Sequence, residues 1–154
     1  MYSFALFVHS WGRWLVLLTM VLLLIKSFRG WLGGGEADKK FHTTRLITMI
    51  VYDLQVMLGL YLYFISPNVK AAFEAGMKMT MSDTQLRYVA VEHIFAMVLG
   101  VILLHVGNVL VKKAPDAKAA FKRMAITVLV VFLLVMVSIP WPFLPYGRVL
   151  FRGM

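Results

Sequence analysis

Apolar positions along this chain gather into four long runs separated by short polar, glycine-rich or proline-containing links. The runs cover about residues 3–25, 42–65, 84–111 and 119–139. Each reaches the roughly 20 residues that an α-helix needs to cross a bilayer. Polar residues inside the runs are few, so the pattern predicts four transmembrane helices. Gly33, Gly34 and Gly35 mark a flexible surface link, and Ser66-Pro67-Asn68 stops the second helix. The stretch from Pro67 to Asp83 is expected as the longest loop, with Ser82 and Gln85 at capping-box spacing before the third helix. A short turn around Pro115 and Asp116 leads into the fourth. Pro140, Pro142 and Pro145 then break the chain among Trp141, Phe143 and Tyr146, a tail suited to the membrane interface. Short links join antiparallel neighbours. The expected fold is therefore all-α: one integral membrane domain over residues 1–154, built as an up-down four-helix bundle.

Composition supports the pattern. Hydrophobic residues make up 61% of the chain and the mean hydropathy is +0.81, well above a soluble domain, which is about half apolar. The first run reads as a retained helix, because no basic residue precedes it and no small-residue cleavage site follows it.

The net charge of +9 is read as an orientation signal, not as a nucleic-acid surface. Lys26, Arg29, Lys39, Lys40, Arg45, Lys112, Lys113, Lys118, Lys122 and Arg123 fall at one end of the bundle. Lys70, Lys78, Arg87, Arg148 and Arg152 fall at the other. The positive-inside bias puts the first end in the cytoplasm and both termini outside. With no cysteine in the chain, disulfides, thiol catalysis, iron–sulfur clusters and thioether-linked haem are excluded, whereas haem held by histidine is not.

Ionisable groups at membrane depth are costly and mark sites. His9 and His93 are the first candidates. Helices 1 and 3 of an up-down bundle are parallel and diagonal. A rise of 1.5 Å per residue puts His9 roughly 9 Å and His93 roughly 10 Å to the outer side of centre. Matched imidazoles across the bundle axis suit one metal, as in a bis-histidine b-type haem, or each hydrogen-bonds inside the bundle. Gly100 and Gly107 follow His93 at seven-residue intervals, a smooth face for a flat cofactor or for a tight helix seam. Arg13, Trp11, Trp14 and Met97 are candidate walls, with Arg87 or Arg148 for propionates.

His105 and His42 form a weaker metal pair. His105 lies roughly 8 Å and His42 roughly 20 Å to the cytoplasmic side, and His105 is expected to bond Asn108 instead. Arg13 and Asp53 are expected to pair near mid-membrane, with Glu92 as competitor, either fixing helix register or relaying protons. The run Met77-Lys78-Met79-Thr80-Met81 offers soft thioethers for Cu(I), although methionines are scattered throughout the chain and copper is the lesser expectation. No residue set resembles a catalytic centre. The fourth helix, without ionisable groups after Arg123, is expected as a plain structural wall.

HSWGRWLVL in helix 1, LGLYLYFISP ending helix 2, EH early in helix 3 and SIPWPF after helix 4 resemble small four-helix inner-membrane proteins labelled cytochrome b-like, of the kind common in Bacteroidetes-type bacteria. The resemblance spans the chain. It implies His9 and His93 as haem ligands and an electron-transfer role with a quinol or protein redox partner. The competing expectation is a cofactor-free membrane subunit or small proton or metal transporter, alone, as a homo-oligomer or within a larger complex.

Overall fold

A computed structural model describes residues 1–151; Arg152, counted above with the outer charges, lies outside the described residues. The elements are α1 (Tyr2–Gly33), α2 (Lys39–Ile65), α3 (Pro67–Ala75), α4 (Met77–Ser82), α5 (Thr84–Lys112) and α6 (Ala117–Ser138). Among the described residues there is no strand. Four of the helices, α1, α2, α5 and α6, are long and apolar enough to cross a membrane.

Local chemistry sets the ends. Asp38 caps α2 by accepting the Phe41 N–H at 2.8 Å, and Asp116 caps α6 by accepting that of Ala119 at 2.7 Å. Helix α1 continues past Ile25, since Lys26 and Arg29 are good helix formers, and stops where Gly34 turns to φ 74°. The expected loop 67–83 is helical. Pro67 occupies the first turn of α3, where its missing N–H costs nothing. Gly76, at φ 81°, breaks α3 from α4. The cap of α5 is Asp83, which accepts the Leu86 N–H at 2.8 Å; the Ser82 hydroxyl points back to the Met79 carbonyl, so the expected capping box does not form.

The long helices pack in the cyclic order α1–α2–α5–α6, which leaves α1 and α5 diagonal across the axis. Met20, Leu23, Tyr52, Leu104, Met124 and Val128 fill the centre. The outer faces carry Leu18, Leu54, Ile102 and Leu133. Such a girdle would be a large apolar patch in water and is what a lipid-facing wall requires. The α2–α5 seam is the least extensive of the four.

Near its start α5 relaxes into a π-helical turn over Tyr88–Glu92, with the His93 N–H bonded to the Tyr88 carbonyl. This extra residue per turn rotates His93 relative to the residues before it. Single π turns recur at functional sites.

Candidate functional site: an imidazole pair in the bundle

The terminal end of the bundle holds a cleft of about 180 Å³, open on one side, bounded by α1, α2, α5, α6 and the tail. His9 from α1 and His93 from α5 enter it from opposite corners. Their ring centroids are 6.4 Å apart and their planes are nearly perpendicular, at 82°.

Each ring is held by its own helix neighbours. His93 Nδ1–H donates to the Ser138 carbonyl at 3.0 Å, and Tyr88 O–H donates to the same oxygen at 2.9 Å. That carbonyl fixes the tautomer with Nε2 unprotonated. Helix α6, expected as a plain wall, thus supplies the acceptor that orients His93, where its last turn leaves a carbonyl free. His9 packs into the notch left by Gly59 on α2, its Cε1 3.1 Å from where a side-chain carbon would stand. Gln55, one turn earlier, fills the corresponding notch at Gly12 and donates to the His9 carbonyl at 2.7 Å. Each helix therefore gives one glycine and receives one polar side chain. His9 Nδ1 is buried and has no hydrogen-bond partner.

Two cations border the cleft. Arg13 donates through Nη2 to the Leu150 carbonyl at 2.6 Å, while its Nε is buried without a partner. Arg148 comes from the tail, which folds back over the cleft: Tyr146 stacks on Tyr88 at 4.2 Å, and Phe151 stacks on Trp14 at 5.2 Å. Met97 lines the cleft as expected of a wall.

Several expected contacts do not form. Gly100 faces α2, where the Tyr52 hydroxyl fills its notch, and Gly107 faces Thr127 of α6; both glycines serve helix seams and neither borders the cleft. Trp14 and Trp11 pack against Phe151 of the tail and do not wall the cleft. The Arg13–Asp53 pair is absent. Asp53 instead accepts from His105 Nε2 with both oxygens, at 3.1 and 3.0 Å, so His105 does not turn to Asn108. Glu92 pairs with Arg87 at 2.7 Å, which takes Arg87 away from any carboxylate in the cleft. His42 lies beside Phe41 at the basic end, remote from the other histidines. Met77 and Met79 lie two residues apart on the helical α4, about 200° around it, whereas Met77 and Met81, four apart, share a face.

Gly59, Gln55, Tyr88 and the Ser138 carbonyl escaped sequence reasoning. Gly59 alone had a signal: glycine inside a helix is unfavourable by about 1 kcal/mol relative to alanine and marks a close approach.

Compared with protein-family models, curated sequences and solved structures, the chain matches none of them.

Proposed function

We propose that this protein is a membrane electron carrier that holds one b-type haem between His9 and His93. It sits in a bacterial inner membrane with both termini and the imidazole cleft on the outer side. It passes single electrons between a quinol or membrane dehydrogenase and a periplasmic acceptor. This is the role that the likeness to cytochrome b-like four-helix proteins implies.

The observation that carries the reading is the spacing of the two rings. Imidazole nitrogens bind a zinc-sized ion at about 2.0–2.1 Å and the ring centre lies about 1.1 Å further back, so two imidazoles on opposite sides of one ion have centres about 6.2 Å apart. The centres here are 6.4 Å apart. Two imidazoles closing on one ion would be free to stand perpendicular.

The donor set favours a macrocycle over a bare ion. Among the described residues no group of three or more His, Cys, Asp or Glu side chains comes together to hold a metal. Two imidazoles are half a tetrahedral set, whereas a porphyrin brings four nitrogens of its own and asks the protein only for axial ligands. The Ser138 carbonyl supplies the outer partner that a ligating His93 requires. Arg13 and Arg148 are the cations available to propionates. The cleft's 180 Å³ is below the roughly 300–1,000 Å³ of ordinary small-molecule sites, so the bundle and the tail would have to part to admit the macrocycle. When bound, the haem supplies a one-electron couple.

The cofactor-free alternative would join Arg13, Asp53, Glu92 and the histidines in one network, and of these contacts only Asp53–His105 forms among the described residues. Arg13, Asp53 and Glu92 each go to a different partner.

An absorbance spectrum of detergent-solubilised protein from haem-replete cells tests the proposal. The expected result is a Soret band that shifts on dithionite and is lost in His93→Ala and His9→Ala. A colourless wild-type protein, or a full band in both variants, overturns it.

A further inference from the structure

The Asp53–His105 pair is a polar cluster that looks outward from the middle part of the spans. Side-chain exposure is 33% for Asp53 and 47% for His105. Asp53 lies one residue past the midpoint of α2, and His105 lies seven residues past that of α5, so both stand within about 11 Å of their helix centres. The hydrocarbon layer extends about 15 Å to each side of its centre. Around the pair the wall is apolar: Ile50, Leu54 and Met57 on α2, and Ile102, Val106 and Val109 on α5, all exposed.

A pair that served only to fix helix register would be turned into the bundle, where Tyr52 and Leu104 in fact lie. Polar groups facing lipid are expensive and rare. This pair persists at the α2–α5 seam, the least extensive in the bundle.

Its chemistry is defined by the hydrogen bonds. A carboxylate can only accept, so His105 Nε2 carries the proton, shared between both Asp53 oxygens. The neutral form of such an imidazole offers Nδ1 as an acceptor, and this atom has no protein partner among the described residues. Asn108, one turn further along α5, also has an unbonded side chain. An oriented imidazole acceptor that opens onto this apolar wall suits a lipid-soluble molecule with a hydroxyl to donate.

We infer that the Asp53–His105 dyad is a binding site for a lipid-soluble hydroquinone, whose ring hydroxyl donates to His105 Nδ1 while the ring lies against the α2–α5 wall. The inference names the electron donor of the proposed haem protein and rests on that reading for the fate of the electron alone; binding of the ring does not need the haem.

Duroquinol binding to the detergent-solubilised full chain, measured anaerobically by titration calorimetry, tests it. Saturable binding by wild type is expected, with affinity reduced about tenfold or more in His105→Gln and Asp53→Asn, since loss of one hydrogen bond to a charged or oriented group has that size. Ile102→Trp leaves the dyad intact but covers its lipid side, and is expected to weaken binding likewise while the protein keeps its unfolding temperature. His93→Ala is expected to bind duroquinol normally even with the Soret band lost, which separates this site from the haem reading. Absence of saturable binding by wild type, or wild-type affinity in Ile102→Trp and Asp53→Asn, overturns the inference. So does a wild-type assembly that Asp53→Asn dissociates with no change in duroquinol affinity, because the dyad would then be a subunit contact.

Discussion

The His9 imidazole occupies the space that Gly59 leaves on α2, with Cε1 3.1 Å from the position of a missing side-chain carbon. Two effects of Gly59→Ala therefore oppose each other. Removing a mid-helix glycine favours α2 by about 1 kcal/mol. The added methyl pushes the ring by a few tenths of an ångström toward the cleft. The expected outcome is a protein whose thermal midpoint is unchanged or slightly raised but whose haem is bound less tightly, read as a faster haem transfer to apomyoglobin. Gly59→Val, with two more carbons at the same place, is expected to lose the Soret band altogether. Tighter haem retention in Gly59→Ala would show that His9 is not seated by this notch.

A second notch bears on stability. The Tyr52 hydroxyl fills the space beside Gly100 and donates to the Met97 carbonyl at 3.2 Å, and Tyr52 is 1% exposed. A Cβ at residue 100 meets that hydroxyl, so the buried ring has to shift. Overpacking of this kind costs about 1–3 kcal/mol. Gly100→Ala is expected to lower the unfolding midpoint in detergent, and the double variant with Tyr52→Phe, which removes the nearest atom, is expected to recover part of the loss. A Gly100→Ala protein as stable as wild type would contradict the packing.

These two glycines also mark what the sequence can and cannot convey. Hydropathy located the four spans because lipid imposes length and apolarity on each one separately. Depth along the axis then brought His9 and His93 level, since that depends only on residue count and helix rise. Rotation about the axis was not legible. The π turn at Tyr88–Glu92 inserts a residue ahead of His93, and no composition rule announces it. Gly100 and His93 share a nominal face, yet one meets Tyr52 and the other His9. Asp53 found His105 because their side chains reach across a loose seam, a relation between two helices that neither helix encodes alone. The helices of residues 67–82 were hidden by their polarity: Pro67 and Gly76 read as loop formers but act here as an N-terminal residue and a break between two short helices.

The Ser138 carbonyl is shared by two donors, His93 Nδ1 and the Tyr88 hydroxyl. Tyr88→Phe leaves the carbonyl to His93 alone while the stacking on Tyr146 is kept. A stronger Nδ1–H bond makes the imidazole a better electron donor to iron, which favours the ferric state. The midpoint potential of the haem is expected to fall in Tyr88→Phe, and stability is expected to drop by about 1 kcal/mol for the lost hydrogen bond. Redox titration followed at the Soret band reads the first, and thermal unfolding the second. A potential that rises would mean that the hydroxyl acts on His93 directly, not through the shared carbonyl.

Orientation in the membrane follows from charge. Lys39 and Lys40 start α2, and Lys112 and Lys113 end α5, so both lie at the end of the bundle opposite the termini. Lys78 sits on α4, which joins the outer ends of α2 and α5. The larger basic cluster is expected on the cytoplasmic side, and the proposed orientation then has the imidazole pair facing outward. Because the chain has no cysteine, single replacements report their side without a background. Both Lys40 and Lys78 are exposed. In intact cells with a permeable outer layer, a membrane-impermeant maleimide is expected to label Lys78→Cys at once and to reach Lys40→Cys only after the inner membrane is opened. The reverse pattern would put the cleft in the cytoplasm, and the acceptor for its electrons would have to be sought there.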